Sequence, residues 1–416
     1  MRYFDYDEEE IQRGNKVPYD AEPIARSRNY KQPSPKQSGT SKVVVFLLVI
    51  LIAFNVVLGF LFLKSNMGVT GRVTVENYYD IYNDSVSSSY MVSKALPSSV
   101  CIASGYNDTV TSSNISYSNF QQMNSKGSGV ITSINKANGD MTIVTCEHVV
   151  TGNTNAVYVL LFDSYRPIKA TYVGGIRSKD IAVLKVSGSS EVKNSSALAA
   201  EVADSMYVSM GDMVLAIGNP MSGGFDTCMG HIRKPQTLVT VTNVGVERVI
   251  STDAPINSGN SGGGLFNAKG QLIGIVNAKI ESDTIDCVSF AIPSNLAMSI
   301  AGSIERNYGD AKHAVLGVEF ATSDETRDSQ DLDGIVLSDT VFVQSVVDGS
   351  AADKAGLQKN DIVIGFSYHD NVVVDMLTMY SFEDHAYNMN VGDKVTFTVK
   401  RGSSTLNFTV TIAQTV

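Results

Sequence analysis

The residues of this chain that could do chemistry are centred on Ser261. It lies in the run NSGNSGGGLF (257–266), which begins with polar residues and continues into an apolar strand. A serine hydroxyl attacks a carbonyl carbon when a base accepts its proton and backbone N–H groups stabilise the resulting oxyanion. Glycines let the chain turn without Cβ clashes, so we predict that the N–H groups of Gly259 and Ser261 form an oxyanion hole. A Gly/Ser hairpin without chemistry is the alternative, since such turns are common.

A base and an orienting carboxylate come from two residues far from this run. His148 lies in TCEHVV (145–150), after the apolar residues 141–144, and Asp180 begins the apolar run DIAVLKV (180–186). Taken singly, a histidine at a strand end and an aspartate at a strand entry are usually structural. Together with Ser261 they match a triad, in which the imidazole takes the serine proton and the carboxylate fixes the imidazole tautomer. We therefore predict that His148, Asp180 and Ser261 are catalytic.

Short β-strands must position these side chains. Apolar, β-rich runs separated by turn residues form two sets, with the spacing of an all-β barrel or sandwich. The first set is 99–103, 129–134, 141–145, 156–162, 170–173 and 181–186, and the second is 213–217, 237–244, 249–251, 264–266, 272–278 and 288–292. These sets predict an all-β dominated fold with two six-stranded antiparallel β-barrels. His148 and Asp180 belong to the first barrel and Ser261 to the second, and a helix is predicted over 295–308.

One long apolar segment precedes these strands. Residues 43–63 contain no charged side chain and are long enough, at about 1.5 Å per residue, to cross a hydrocarbon core about 30 Å thick. We predict a single transmembrane helix. Lysines and arginines precede it, which places the N-terminus in the cytoplasm and the following domains outside. The polar residues 1–42 predict a disordered cytoplasmic tail, and the Tyr- and Ser-rich residues 64–96 predict a spacer.

Composition excludes several classes of function. The chain has 416 residues, enough for two or three domains, and a formal net charge of −10, which argues against nucleic-acid binding. The four cysteines, at 101, 146, 228 and 287, show no close ligand spacing, so we predict no metal site and no cofactor. Two disulfides, 101–146 and 228–287, and free buried thiols are both compatible with the sequence.

The motifs taken together resemble the HtrA/DegP family of serine proteases. The resemblance is carried by GSGVI (127–131), TCEHVV, DIAVLKV, GNP (218–220), INSGNSGGGLFN (256–267) and SFAIPSN (289–295). It implies a trypsin-like protease domain of two barrels over residues 97–308, with a small apolar S1 pocket. The implied function is a membrane-anchored endopeptidase that cleaves misfolded or regulatory extracytoplasmic proteins through an acyl-enzyme. A homotrimer or larger oligomer is likewise implied by the resemblance.

Residues 314–416 resemble a PDZ domain. The motifs are VLGV (315–318), SAADKAGLQKNDIV (350–363) and VGDKV (391–395). The resemblance implies that the segment Leu316, Gly317 and Val318 holds the terminal carboxylate of a peptide, which adds as an extra strand to the neighbouring sheet edge. Polypeptide substrates and peptide C-termini are therefore the predicted partners.

Two other functions are compatible with these motifs. One is a sensor protease that cuts a single regulatory substrate, and the other is a catalytically silent PDZ scaffold or holdase. The complete triad with its glycines argues against the scaffold, because a scaffold has no physical need for all three side chains.

Overall fold

The computed structural model describes residues 87–105, 115–219, 224–241, 245–278, 288–322, 340–369 and 372–416. The predicted cytoplasmic tail (1–42) and transmembrane helix (43–63) lie outside these ranges, as does most of the predicted spacer (64–96). Within the described ranges, no helix combines the length and the apolar character that crossing a bilayer requires.

The first barrel contains six antiparallel strands. They are β1 (Ser99–Ser104), β2 (Ser125–Asn135), β3 (Asp140–Thr145), β4 (Val157–Leu161), β5 (Ile168–Ile176) and β6 (Ile181–Val186). The order is β1-β2-β3-β6-β5-β4, and β1 pairs with both β2 and β4, which closes the barrel. Side chains such as Ile102, Val144 and Leu184 are fully buried in its core. The prediction of a first six-stranded barrel is confirmed.

The second barrel is also a closed sheet of six antiparallel strands. They are β7 (Met213–Gly218), β8 (Asp226–Val241), β9 (Gly245–Thr252), β10 (Gly264–Asn267), β11 (Leu272–Val276) and β12 (Ser289–Pro293), in the order β10-β11-β12-β9-β8-β7. Strand β8 begins well before the run predicted at 237–244. Its register against β9 shifts on either side of Lys234. Pro235 has no N–H to donate to a strand ladder, and this irregularity concealed the first half of the strand.

Helices cover the barrels and join them to the C-terminal residues. Helix α1 (Ser88–Ala95) occupies the end of the predicted spacer, and α2 (Tyr117–Gln121), α3 (Glu147–Val150) and α4 (Ser190–Asn194) are single turns. Helix α5 (Ser294–Arg306) is the helix predicted over 295–308. It buries Leu296, Ile300 and Ile304, spaced four residues apart on one face. These side chains belong to one apolar cluster that contains residues of both barrels, so the two barrels form a single two-barrel domain.

The C-terminal domain has a separate apolar core. Its elements are β13 (Ala314–Val315), β14 (Val318–Thr322), β15 (Val341–Val346), α6 (Ala351–Ala355), β16 (Ile362–Tyr368), β17 (Val372–Asp375), α7 (Glu383–Ala386), β18 (Lys394–Arg401), β19 (Ser404–Thr411) and β20 (Gln414–Thr415). The main sheet has the order β14-β15-β16-β18-β19, with β17 paired to β16, and a two-stranded sheet joins β13 and β20. Among the described strands, β14 pairs with β15 alone, so it forms an edge of the sheet.

The described cysteines are free thiols. Cys101 belongs to a cluster that contains Phe120 and Tyr158, whereas Cys146 belongs to the main cluster of the two-barrel domain. The two side chains therefore occupy different cores, and the 101–146 disulfide considered from the sequence is not formed. Cys228 is partly buried and free, and position 287 lies outside the described residues.

Candidate active site

Strand pairing brings His148 and Asp180 together. His148 lies in α3, the helical turn that directly follows β3, and Asp180 immediately precedes β6. Strands β3 and β6 are neighbours, with Thr145 opposite Ala182, so the residues after one strand meet those before the other. His148 Nδ1 lies 2.6 Å from Asp180 Oδ2, and the His148 backbone N–H donates to Asp180 Oδ1 at 2.9 Å. The carboxylate thus contacts both the ring and the backbone of the histidine.

A third donor to the carboxylate of Asp180 comes from the second barrel. Asn277, which follows β11, donates from Nδ2 to Asp180 Oδ2 at 3.0 Å, and its side chain is buried. Three N–H groups therefore fix the orientation of a carboxylate whose side chain is 7% exposed. Sequence reasoning missed Asn277, because one asparagine after an apolar strand carries no signal until the barrels are packed together.

The turn that carries Ser261 is pressed against the first barrel. Gly262 has φ +83°, and a Cβ there would lie 2.1 Å from Thr145 Oγ1 and 2.3 Å from Ser128 O. Only glycine fits this approach, because the conformation and the available space both exclude a side chain. The Ser128 backbone N–H donates to Ser261 O at 2.8 Å. Ser261 is thereby held beside the end of β3, next to the turn that carries His148.

The carbonyl groups of the serine turn accept hydrogen bonds, whereas two of its N–H groups have no acceptor among the described residues. Ser128 Oγ donates to Gly259 O at 2.8 Å, which fixes the following peptide plane. No described residue accepts a hydrogen bond from the backbone N–H of Gly259 or Ser261. These are the two groups predicted to form an oxyanion hole. Ser128 was part of the GSGVI motif, but its role as a clamp on Gly259 was not predicted.

The hydroxyl of Ser261 is directed toward the backbone of Ala278, not toward the imidazole. Its Oγ accepts a hydrogen bond from the Ala278 N–H at 3.2 Å. Among the described hydrogen bonds, none joins Ser261 to His148. Catalytic hydrogen bonds often form or tighten only when substrate is bound.

The thiol of Cys146 is adjacent to this group of residues. Cys146 directly precedes α3 and donates from Sγ to Val276 O at 3.3 Å. Burial, followed by the negative charge of Asp180, raises the pKa of the Cys146 thiol well above its ordinary value. The thiol therefore stays protonated at neutral pH.

A second candidate site is a groove on the C-terminal domain. It has a volume of ≈ 420 Å³ and is lined by the segment from His313 to Phe320, by Ser345 and Val347, and by Met379, Phe382, Glu383 and Ala386. The carbonyls of Leu316 and Gly317 accept hydrogen bonds from Ala352 and Val347 at 3.0 and 2.9 Å. No described residue accepts from the N–H groups of Leu316 or Gly317. The predicted carboxylate-binding segment thus lies beside the edge strand β14, at one end of an apolar groove.

Two ion pairs connect the C-terminal domain to the two-barrel domain, and one of them uses Glu383, which lines the groove. Lys179 Nζ lies 2.6 Å from Glu383 Oε1, and Arg248 in β9 pairs with Asp384. The second pair is buried, with side chains 4% and 0% exposed, and the Arg248 guanidinium also lies 5.3 Å from the centre of the Tyr380 ring. Lys179 is the neighbour of Asp180, and Glu383 lines the groove, so a short chain of contacts joins the two candidate sites.

Comparison with known proteins assigns both domains. The chain matches the model of the trypsin-like peptidase domain over residues 127–275 and that of the PDZ domain over residues 314–412. It is 34% identical over 270 residues to "Serine protease Do-like HtrA" of Bacillus subtilis (strain 168), a match that covers 62% of this chain and 58% of that protein.

Other relatives are matched over most of their length. The "Serine protease Do-like HtrA" of Lactococcus lactis subsp. cremoris (strain MG1363) is 34% identical over 300 residues, 69% of this chain and 70% of that protein. The "Serine endoprotease DegS" of Haemophilus influenzae is 30% identical over 320 residues, covering 76% and 85%. Among solved structures, "HtrA-type protease AlgW with tripeptide" has 29% identity and a TM-score of 0.50, and the match covers 79% of this chain and 97% of that one.

Proposed function

We propose, from the premise that this chain belongs to the HtrA family of serine proteases, that His148, Asp180 and Ser261 are its catalytic triad. The chain is a serine endopeptidase with a C-terminal PDZ domain. The observation that carries the proposal is the 2.6 Å contact between His148 Nδ1 and Asp180 Oδ2, beside the end of β3 against which the Ser261 turn packs. The carboxylate holds the proton on Nδ1, which leaves Nε2 free to accept the proton of a serine.

The reaction follows from these positions. Ser261 Oγ attacks the scissile carbonyl carbon while His148 Nε2 takes the hydroxyl proton. The carbonyl oxygen becomes an oxyanion, and the N–H groups of Gly259 and Ser261 donate to it. His148 then gives the proton to the leaving amine, the C–N bond breaks and an acyl-enzyme remains. Water, deprotonated by the same imidazole, hydrolyses that ester and releases Ser261.

The role of Ser261 is tested with casein as an unfolded substrate. Wild-type protein is compared with Ser261→Ala for casein hydrolysis and for labelling by a fluorophosphonate, with the modified peptide mapped by mass spectrometry. We expect hydrolysis and labelling at Ser261 in the wild type and neither in the variant. Equal hydrolysis by both proteins would disprove the role given to Ser261.

The substrate class is argued from both domains. Near the serine turn, Ala254 is buried and Ile256 packs with the apolar cluster of the second barrel, which supports a small apolar S1 pocket. Such a pocket selects Val, Ala or Ile before the scissile bond. The groove beside Leu316, Gly317 and Val318 supports docking of peptide C-termini, because a free strand edge and unpaired N–H groups suit an extended chain with a carboxylate. A peptide library with varied P1 residues tests the first preference, and C-terminal amidation of the docked peptide tests the second.

The cellular role that we propose is cleavage of misfolded or regulatory extracytoplasmic proteins by a membrane-anchored homotrimer. The anchor rests on the apolar residues 43–63, and the trimer rests on family resemblance. Extraction of the full-length protein from membranes by alkali, and sedimentation of the detergent-solubilised protein, test these two points. A sensor protease that cuts a single regulatory substrate is the second candidate, favoured by the contact between Lys179, beside Asp180, and Glu383, in the peptide groove.

A further inference from the structure

The Cys146 thiol has no part in the proposed hydrolysis, yet it lies against the proposed triad. Its Sγ, a ring nitrogen of His148 and a carboxylate oxygen of Asp180 all lie within 4.8 Å of one another. The thiol is buried, whereas the His148 side chain is 25% exposed. The imidazole is therefore the most solvent-exposed of the three groups.

These three groups form the donor set of a particular class of metal ion. Thiolate sulfur, imidazole nitrogen and carboxylate oxygen are the ligands of Zn²⁺ in proteins, and three of them leave a fourth position for water. Mg²⁺ and Ca²⁺ prefer sites made of oxygen atoms alone. We propose that Cys146, His148 and Asp180 bind a thiophilic divalent cation such as Zn²⁺, and that the bound ion inhibits the endopeptidase. The inhibitory part rests on the catalytic roles proposed above for His148 and Asp180.

Ion binding releases one net proton for each cation bound. The Sγ–H that donates to Val276 O is lost to solvent, whereas the imidazole stays neutral, because the ion replaces the proton on Nδ1 and Nε2 takes one up. The His148 Nδ1 to Asp180 Oδ2 separation must open from 2.6 Å. Two ligands about 2.1 Å from a tetrahedral ion stand roughly 3.4 Å apart, so the ring and carboxylate move by less than the width of an atom. Since protons compete with the ion, affinity should rise with pH.

The Asp180 carboxylate already accepts hydrogen bonds of the kind that orient metal-bound carboxylates. Asn277 Nδ2 donates to Asp180 Oδ2, and the His148 backbone N–H donates to Asp180 Oδ1. Neither bond requires the proton on His148 Nδ1, so both persist when an ion replaces that proton. Partners of this kind orient metal-bound carboxylates and strengthen metal binding by about 10- to 100-fold.

Inhibition follows from the tautomer of His148. A neutral imidazole carries one proton, so a ring that binds the ion through Nδ1 carries its proton on Nε2. Nε2 is the atom that must accept the proton of Ser261 during catalysis. The bound ion thus removes the base without contacting the S1 pocket, and we expect kcat to fall while KM changes little.

Binding is measured first, without reference to activity, in full-length Ser261→Ala protein titrated with Co²⁺. We expect a thiolate-to-Co²⁺ charge-transfer band in the near-ultraviolet, displaced by Zn²⁺. The band should be absent from Ser261→Ala/Cys146→Ser and retained by the matched control Ser261→Ala/Cys228→Ser, which removes a more accessible thiol. No band in the first protein, or an unchanged band after Cys146→Ser, would overturn the inference.

Inhibition is then measured as casein hydrolysis at buffered free Zn²⁺. Each protein is compared with its own rate in EDTA. Wild type and Cys228→Ser should lose activity at micromolar Zn²⁺, whereas Cys146→Ser should need at least about tenfold more. Equal sensitivity of Cys146→Ser and wild type would contradict the inhibitory role. If the wild type fails to hydrolyse casein even in EDTA, the proposed function fails, while the Co²⁺ band still decides whether the site binds metal.

Discussion

The two interfaces within this chain are built from different interactions. Where the barrels meet, the contacts are short hydrogen bonds and close backbone approaches: Asn277 to Asp180, Ser128 to Gly259 and Ser261, and Gly262 against Thr145. Where the two-barrel domain meets the PDZ domain, two ion pairs hold α7, and the Tyr387 ring that follows α7 packs in the main apolar cluster of the two-barrel domain. Close packing tolerates little displacement, whereas charge pairs respond to pH and salt. The difference indicates a rigid catalytic centre joined to a PDZ domain whose attachment depends on pH and salt concentration.

The largest expected effect is at the interface between the barrels. Asp180→Asn removes the acceptor for His148 Nδ1–H and favours the wrong tautomer, so kcat should fall about 10⁴-fold. The matched control is Asp140→Asn at the opposite end of β3, where the carboxylate accepts from the Gly188 N–H at 2.9 Å. It should retain nearly full activity. Comparable loss in both variants would mean that the effect reflects the strands rather than the triad.

The PDZ interface is tested by breaking its buried pair. Arg248→Met leaves Asp384 buried without a counter-charge, and we expect a loss of about 3–5 kcal/mol in the free energy of unfolding, measured by urea denaturation. Lys179→Met breaks the neighbouring pair, whose side chains are 24% and 35% exposed, and should cost no more than about 1 kcal/mol. If the two variants are equally stable, the buried pair has no special role in holding the domains together.

Stability should also depend on pH through Asp384. Burial, opposed by Arg248, raises the pKa of Asp384 from 3.8 to about 6. Between these values the folded protein holds a proton that the unfolded chain has released. This contribution is complete below pH 4 and is lost as pH rises through about 6, by up to ~3 kcal/mol, since each pKa unit corresponds to about 1.4 kcal/mol. Asp384→Asn should lack this decline, and parallel pH curves for the two proteins would exclude the assignment.

A smaller substitution tests whether the close approach of the serine turn to the first barrel is needed for turnover. Gly262→Ala places a methyl group against Thr145 and Ser128, so Ser261 must move and kcat should fall about 10²-fold. Gly152→Ala is the matched control, because Gly152 has φ +78° and no atom of the described residues lies within 4 Å of the added Cβ. It should cost about 1–2 kcal/mol of stability through strain alone and leave kcat unchanged. Normal turnover by Gly262→Ala would show that the close approach is not required.

Sequence reasoning found the elements whose signal is local. The two barrels were predicted from apolar, β-rich runs separated by turn residues, and His148 and Asp180 were found because each lies at one end of such a run. Ser261 was found because glycines surround it. Strand β8 was predicted only in its second half, since Pro235 interrupts the pattern there.

Contacts between distant segments gave no such signal. Ser128 and Asn277 act through partners more than ninety positions away, and Cys146 approaches Asp180 only after β3 and β6 pair. The spacing of the cysteines accordingly predicted no metal ligands, although the fold gathers three possible ligands at one point. The two ion pairs at the PDZ interface, Lys179–Glu383 and Arg248–Asp384, also join residues that are far apart in the chain, so the sequence did not predict them.

The buried pair between Arg248 and Asp384 determines what undocking would uncover. If the PDZ domain moves away, the newly exposed surface presents a guanidinium on one side and a carboxylate on the other, together with the Tyr387 ring that packs in the main apolar cluster. Hydration of those two charges compensates for much of the lost contact. The undocked protein would therefore have little tendency to aggregate, and the PDZ domain could dock again. Such an interface suits reversible opening.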